Sequence, residues 1–218
     1  MKLDFEEVAV AGLAKSYGPT LALAGVDLSF AQGTVTVVQG SNGSGKSTFL
    51  WLLALLAHPT RGHIRYGAYG TDRTEDLHGR IGFVAHQLHL YPGLSGHENL
   101  VLAAKLQGIP YAEKRAADLG EALSLSEYWK RPLRTYSRGQ AQRVAIARAL
   151  LHEPRLLLMD EPSTGLDERS TEALVRLIEQ EKQDGSIVII VSHEVGFAQK
   201  VADRVLHMER GRIVERSP

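Results

Sequence analysis

The chain contains no cysteine, which excludes a disulfide scaffold, a thiolate zinc site, an iron–sulfur cluster and covalent c-type haem attachment. It also lacks an excess of charge of either sign. Lys and Arg total 25, Asp and Glu total 25, and the formal net charge is zero, which disfavours a nucleic-acid partner held by bulk positive charge. Long hydrophobic runs are missing too. The longest, Phe49 to Ala57, is about half of the ~20 residues needed to span a bilayer, so the chain is not expected to cross a membrane by itself. The N-terminus, Met1-Lys2-Leu3-Asp4-Phe5-Glu6-Glu7, is acidic and has no apolar core of a signal peptide. With no repeat, low-complexity tract or long Pro/Gly/Ser-rich linker, residues 1–218 are expected to form a single domain.

Short β-type runs, Val8 to Ala11, Val26 to Phe30 and Thr34 to Gln39, are separated by turn signals at Tyr17-Gly18-Pro19 and Gln32-Gly33. Helical spacing begins at Gly45 and runs through Phe49, Leu50, Leu53 and Leu56 to a stop at His58-Pro59. Gly62 to Tyr66 and Ile81 to Ala85 read as further strands. From about residue 88 to 155 the chain is rich in Ala, Leu, Glu and Lys with helical periodicity, which predicts an inserted helical subdomain. Two fully apolar strands follow, Leu156 to Met159 and Ile187 to Val191, flanking an amphipathic helix from about Ser170 to Gln183. Continuous apolar strands alternating with helices predict an α/β fold with a mostly parallel core sheet covered on both faces.

Gly40-Ser41-Asn42-Gly43-Ser44-Gly45-Lys46-Ser47 matches G-x-x-x-x-G-K-[ST] directly after a β run and before a helix, and Thr48 continues it. Glycines at these positions let backbone N–H groups converge on phosphate oxygens, and the helix N-terminus adds partial positive charge. Lys46 is then expected to reach the β- and γ-phosphates of a nucleotide, and the Ser47 hydroxyl to ligate Mg²⁺. Leu156-Leu157-Leu158-Met159-Asp160-Glu161 is an apolar strand that delivers two carboxylates at its C-terminal end, where open α/β sheets bind ligands. Asp160 is expected in the magnesium shell and Glu161 beside the attacking water. Asp-Glu after a strand alone is usually a solvated loop; sharing a chain with the phosphate loop gives it weight.

Between these motifs lies Tyr136-Ser137-Arg138-Gly139-Gln140. With it, the array resembles the nucleotide-binding subunit of ABC transporters over nearly the whole chain. The resemblance implies a P-loop ABC cassette with an antiparallel β subdomain beside the core sheet and a helical insertion, binding ATP and Mg²⁺. In that family this segment is the signature loop, ideally L-S-G-G-Q, which caps the γ-phosphate held by a second copy. Ser137, Gly139 and Gln140 match and Tyr136 and Arg138 depart; the Arg138 side chain either crowds the trans phosphate or adds a charge-assisted contact to it. The resemblance further implies that Tyr17 stacks on adenine, that Gln87 contacts Mg²⁺ and senses the γ-phosphate, that Ser163-Thr164-Gly165-Leu166-Asp167 is the loop crossing the dimer interface, and that His193 is the switch histidine. A head-to-tail pair of cassettes, an integral membrane permease on another polypeptide and a peripheral position at the cytoplasmic face of the inner or plasma membrane follow from it, with no nucleic-acid partner.

Two segments narrow the resemblance. Residues Gly82 to Ser95, containing Gln87-Leu88-His89-Leu90-Tyr91-Pro92-Gly93, and Leu133 to Gly139 are similar to the haem exporter subunit of cytochrome c maturation, the CcmA type. The alternatives are an ATPase of another ABC exporter, for lipid, drug or peptide, and a non-transport ABC ATPase. DNA-repair relatives of this class carry long heptad arms or zinc modules, ribosome-associated ones carry two cassettes, and a small-molecule kinase leaves Ser137 and His193 idle. The nine histidines, among them His86, His89 and His97, are not assigned as haem ligands, because loop histidines are more often solvated or hydrogen-bonded.

Overall fold

A computed structural model describes residues 4–71 and 74–214; Met1, Lys2 and Leu3 of the N-terminal stretch read above lie outside them. In chain order the elements are β1 (Glu7–Tyr17), β2 (Thr20–Ala31), β3 (Val35–Gln39), α1 (Lys46–Leu53), β4 (Arg61–Tyr66), β5 (Tyr69–Gly70), α2 (Thr74–His78), β6 (Ile81–Val84), α3 (Gly96–Leu106), α4 (Ala112–Ala122), α5 (Arg138–Leu150), β7 (Leu156–Asp160), α6 (Glu168–Gln183), β8 (Ile187–Val191), α7 (Val195–Val201), β9 (Arg204–Glu209) and β10 (Arg212–Val214).

The strands make two sheets. β2, β1, β4 and β5 form an antiparallel sheet in that order, and the other runs β10-β9-β3-β8-β7-β6, parallel except for the β9–β10 hairpin at its edge. The parallel strands owe their position to their composition. Every residue of β7 and β8 is buried, and successive side chains face opposite layers. Leu156, Leu158, Ile187 and Ile189 join a core with Val8, Val10 and Phe30 of the antiparallel sheet and Phe49 and Leu50 of α1. Leu157, Met159, Val188 and Ile190 join the other core, with Leu100, Val144, Ile146 and Leu174 from the helices. A fully buried leucine contributes about 2 kcal/mol relative to an exposed one, so these strands anchor the loops at their ends.

The structure departs from the sequence reading in three places. β1 and β2 are longer than the runs Val8 to Ala11 and Val26 to Phe30, because a register shift between Val10 and Leu13 breaks the alternation. Gly12 sits at this bulge with φ 56° and donates its N–H to Asp27 Oδ1 at 2.7 Å. The helix after the phosphate loop stops at Leu53 rather than running through Leu56. Leu55 takes a left-handed φ of 59°, and Leu56 is 61% exposed instead of on the apolar face. The sequence reading also omitted β9, β10, α7 and the short β5 and α2.

The helices α3, α4 and α5, which lie between β6 and β7 in chain order, pack against one another. α3 starts at a capping box in which the Ser95 hydroxyl accepts from the Glu98 N–H while Glu98 accepts from the Ser95 N–H. Just before it, the chain is zipped to the entrance of α5. Leu133 N–H donates to Leu94 O at 2.8 Å, Arg134 N–H donates to Pro92 O at 3.0 Å, and Ser95 and Pro132 form an isolated antiparallel bridge.

Candidate functional site

Parallel strand order sets the site. Val38, Val191 and Asp160 are register partners across β3, β8 and β7, and Val84 at the end of β6 pairs with Met159. The loops that leave β3, β8, β7 and β6 therefore emerge side by side at the C-terminal edge of the sheet, where α/β folds bind ligands. They carry residues 40–47, His193, Glu161 and Gln87 respectively.

The loop after β3 is held by close approach of its backbone. A Cβ on Gly40 would meet Met208 O at 2.2 Å, and one on Gly45, at φ 109°, would meet Ala22 O at 2.4 Å. Lys46 is buried, and its ammonium donates to Gly40 O at 2.8 Å and Ser41 O at 2.9 Å, bending back over the loop. The Ser44 hydroxyl is buried with no hydrogen-bond partner among the described residues, which fits a loop shaped to donate to an anion. Ser41, Asn42 and Gly43 are exposed, and Thr48 is half-buried on α1.

Ser47 Oγ donates to Asp160 Oδ2 at 2.9 Å. A hydroxyl and a carboxylate oxygen held together are the hard oxygen donors that suit Mg²⁺. Burial pushes the Asp160 carboxyl above its usual range; the Ser47 hydrogen bond pulls it down and the neighbouring Glu161 charge pushes it up again. A divalent cation here would remove the cost of keeping Asp160 ionised.

Glu161 stands at φ 52° and its N–H donates to Val191 O at 2.8 Å, so the chain turns sharply off β7 toward β8. This turn sets Glu161 Oε1 at 2.9 Å from His193 Nδ1 and lets Oε2 accept from the His193 N–H at 3.4 Å. Hydrogen bonding to Glu161 raises the His193 pKa, and the Glu161 charge adds to the shift.

The remaining expected residues have other partners. Tyr17 ends β1, 45% exposed, with the Lys15 ammonium 5.0 Å over its ring. Gln87 is exposed in the segment after β6. Ser137 is the N-cap of α5: its hydroxyl accepts from Gln140 N–H at 3.2 Å, and Gln140 Oε1 accepts from Ser137 N–H at 3.0 Å. Gly139 lies so close to the 163–167 loop that a Cβ there would sit 2.3 Å from Gly165 O, and the Arg138 stem packs 3.3–3.5 Å from the Cβ position of Gly165. Asp167 caps α6 by accepting from Ser170 N–H at 2.8 Å, which holds its carboxyl below the usual range. The structure thus joins Ser47 to Asp160 and Glu161 to His193, folds Lys46 onto its own loop, and pairs Ser137 with Gln140.

Two features were missed in the sequence. One is the pairing of Tyr136, whose hydroxyl accepts from Gly96 N–H at 3.1 Å and donates to Tyr128 O at 2.7 Å. A cleft of about 390 Å³ beside Gly40, Ser41 and His193 is completed by His207, Glu209 and Arg210. The alternating burial of Leu206 and Met208 around His207 is the strand signal that could have found them.

The sequence profile of the ABC transporter family matches residues 23–164. The chain is 37% identical over 220 residues to the glutamine transport ATP-binding protein GlnQ of Escherichia coli (strain K12), covering 98% of this chain and 90% of that one. It is 38% identical over 215 residues to the arginine transport ATP-binding protein ArtM of Bacillus subtilis (strain 168), covering 95% and 90%. Identity to the linearmycin resistance ATP-binding protein LnrL of the same bacterium is 34% over 203 residues, covering 92% of this chain and 65% of that protein. Among solved structures, a dimeric post-hydrolysis state of the ATP-binding cassette MJ0796 bound to ADP and Pi superposes with a TM-score of 0.87 at 29% identity, covering 96% and 97% of the two chains. Phosphate loop, strand-end carboxylates, two-sheet architecture and relatives agree: the chain belongs to the ABC transporter family and is one of its ATP-hydrolysing cassettes.

Proposed function

We propose that this chain powers a separate membrane permease by hydrolysing ATP as one half of a head-to-tail pair of cassettes. The observation that carries the reading is the placing of Ser47–Asp160 and Glu161–His193 as two hydrogen-bonded pairs along one sheet edge. Lys46 exchanges the carbonyls of Gly40 and Ser41 for β- and γ-phosphate oxygens, while Ser44 and the loop backbone around Ser41, Asn42 and Gly43 donate to the remaining oxygens. Tyr17 offers a face to adenine. Ser47, Asp160 and Gln87 are the residues that would hold Mg²⁺, and a bound ion would supply positive charge against the phosphoryl group being transferred. Glu161 orients the attacking water and His193 donates toward the γ-phosphate; positioning and electrostatics carry the reaction. Ser137, Gly139 and Gln140 serve the nucleotide of the other copy, a reading supported by the dimeric structures of the similar cassette MJ0796.

A permease on another polypeptide is supported by relatives named as transport ATP-binding proteins, and no helix of the described residues is long and apolar enough to cross a membrane. We place the cassette at the cytoplasmic face of the membrane that holds the permease. For cargo, the reading is haem export in cytochrome c biogenesis, supported by the residues of segments 82–95 and 133–139. A second reading, amino-acid transport, is favoured by the names of GlnQ and ArtM.

Nucleotide titration of Lys46→Ala tests the site: ATP binding is expected to be lost, and normal binding overturns the phosphate-loop assignment. Purification of the chain from its native membrane tests the cargo. A membrane subunit of cytochrome c maturation supports haem export, and an amino-acid permease replaces it by the second reading.

A further inference from the structure

The segment that follows Gln87 is fastened to α5 and to the residues just before it. Toward its far end, Pro92 and Leu94 accept hydrogen bonds from Arg134 and Leu133, three and four residues before the Ser137 cap. Nearer Gln87, the His89 carbonyl accepts from Arg148 Nη1 at 2.5 Å. His89 is held at φ 49°, a left-handed conformation that costs a non-glycine residue free energy and persists where its surroundings fix it.

Arg148 is well placed to do the fixing. It lies in the last turn of α5, and burial pulls its guanidinium below its ordinary pKa. The final carbonyls of that helix are already satisfied from elsewhere: Arg115 of α4 donates to Leu150 O at 2.9 Å and to Leu151 O at 3.1 Å. Arg148 is thereby left to reach outward to the loop. α5 spans 13 residues, about 20 Å at the usual helical rise, and carries Ser137 at one end and Arg148 at the other.

We propose that Arg148 is a positioning residue for Gln87, tying the 86–90 segment to the signature helix so that metal-site geometry at Gln87 and the pose of Ser137 change together. The proposal rests on the roles given above to Gln87 and Ser137. Without the guanidinium, the left-handed His89 peptide loses its donor, and the nearest remaining tether is at Tyr91, whose N–H donates to Asn99 Oδ1 at 2.8 Å and whose carbonyl accepts from Asn99 Nδ2 at 3.0 Å, followed by Pro92 and Leu94. Gln87 then samples positions away from the Ser47–Asp160 pair, which lowers turnover without touching the loop that grips the phosphates.

The test is ATPase kinetics and nucleotide binding on the full chain carrying Arg148→Met, Arg148→Lys, Gln87→Ala, and Gln87→Ala with Arg148→Met, each with a thermal melt. Arg148→Met is expected to lower kcat about tenfold, as loss of groups that orient a metal ligand does. It should also raise the Mg²⁺ concentration for half-maximal activity and leave ATP affinity in EDTA unchanged. Arg148→Lys, which keeps one donor, restores part of the loss and stands in if the Met variant does not fold. The decisive reading is the double variant, expected to be no slower than Gln87→Ala alone. Additive losses, or an equal fall in metal-free ATP affinity, overturn the proposal and leave Gln87 in its role. Wild-type turnover and Mg²⁺ dependence in Gln87→Ala overturn that role and the proposal with it.

Discussion

His193 Nδ1 stands 2.9 Å from Glu161 Oε1, and the main-chain N–H of the same histidine points to the other carboxylate oxygen at 3.4 Å. The two residues are 32 positions apart in sequence. They meet because β7 and β8 are neighbours with Asp160 opposite Val191. A group proposed to orient water and a group proposed to address the γ-phosphate thus hold each other.

Glu161→Gln keeps a hydrogen-bonding side chain at the turn but removes the negative charge. Hydrolysis is expected to slow by orders of magnitude while ATP binding persists, and the unhydrolysed complex should accumulate as a dimer on size exclusion with ATP. Unchanged turnover removes Glu161 from its proposed role.

The same pair predicts a pH dependence. Because the folded-state pKa of His193 is raised, the pair adds stability that is fully present below the unfolded histidine value, near 6.5, and lost as pH rises through the raised folded value. The His193 side chain is 69% exposed, so solvent and salt screen the effect and keep it small. The Tm difference between wild type and His193→Gln should be largest in mild acid, shrink at alkaline pH and weaken with salt. In Glu161→Gln, the ring resonances of His193 should titrate at lower pH than in wild type.

Gly139→Ala introduces a Cβ that would lie 2.3 Å from Gly165 O, backbone against backbone with no flexible side chain to yield. The start of α5 and the 163–167 loop must separate. ATP affinity at the phosphate loop is expected to hold, whereas kcat should fall by about tenfold or more, as displacement of a reacting geometry by roughly 1 Å can cost. Wild-type kcat would show that the contact between these loops is irrelevant to turnover.

Tyr136→Phe tests the residue that departs from the usual leucine. Loss of the hydroxyl leaves Gly96 N–H and Tyr128 O without their partner. A cost of about 1–2 kcal/mol is expected, read as a fall in Tm of about 2–4 °C per kcal/mol for a chain of this size. Equal melting temperatures would mean that water replaces both bonds at no cost.

The phosphate loop and the parallel strands were legible because their signals are local. A strand, a glycine-rich turn ending in Lys46-Ser47 and a helix occupy one continuous stretch, and β7 and β8 are unbroken apolar runs. β1 was only partly legible, since the bulge at Gly12 shifts its inward face midway. β10 was hidden by its edge position and its length of three residues, and β9, although paired on both sides, opens on the exposed Arg204 and Val205 and closes on the exposed Glu209, which leaves only Leu206 and Met208 to mark its inward face. The end of α1 escaped notice because Leu55 takes a left-handed conformation without the glycine that usually announces one. Ser137 and Gln140 had been read as facing a distant phosphate, yet their three-residue spacing is also that of a capping box, the pairing found in the single chain. Pairs such as Glu161 with His193 and Arg148 with His89 depend on which strands and helices become neighbours, and local spacing carries no trace of that.

Pro92 and Leu94 are bound to Arg134 and Leu133 by main-chain hydrogen bonds, and Ser95 bridges to Pro132, so residues 92–95 and 132–134 are two edges of one small ribbon. A chimera that grafts only the first segment from another cassette would import half of a matched seam, and a one-residue insertion in either edge would slide it out of register with the other. Exchange of this region between cassettes by splicing therefore requires both pieces to travel together, although 36 positions of sequence, residues 96–131, lie between them.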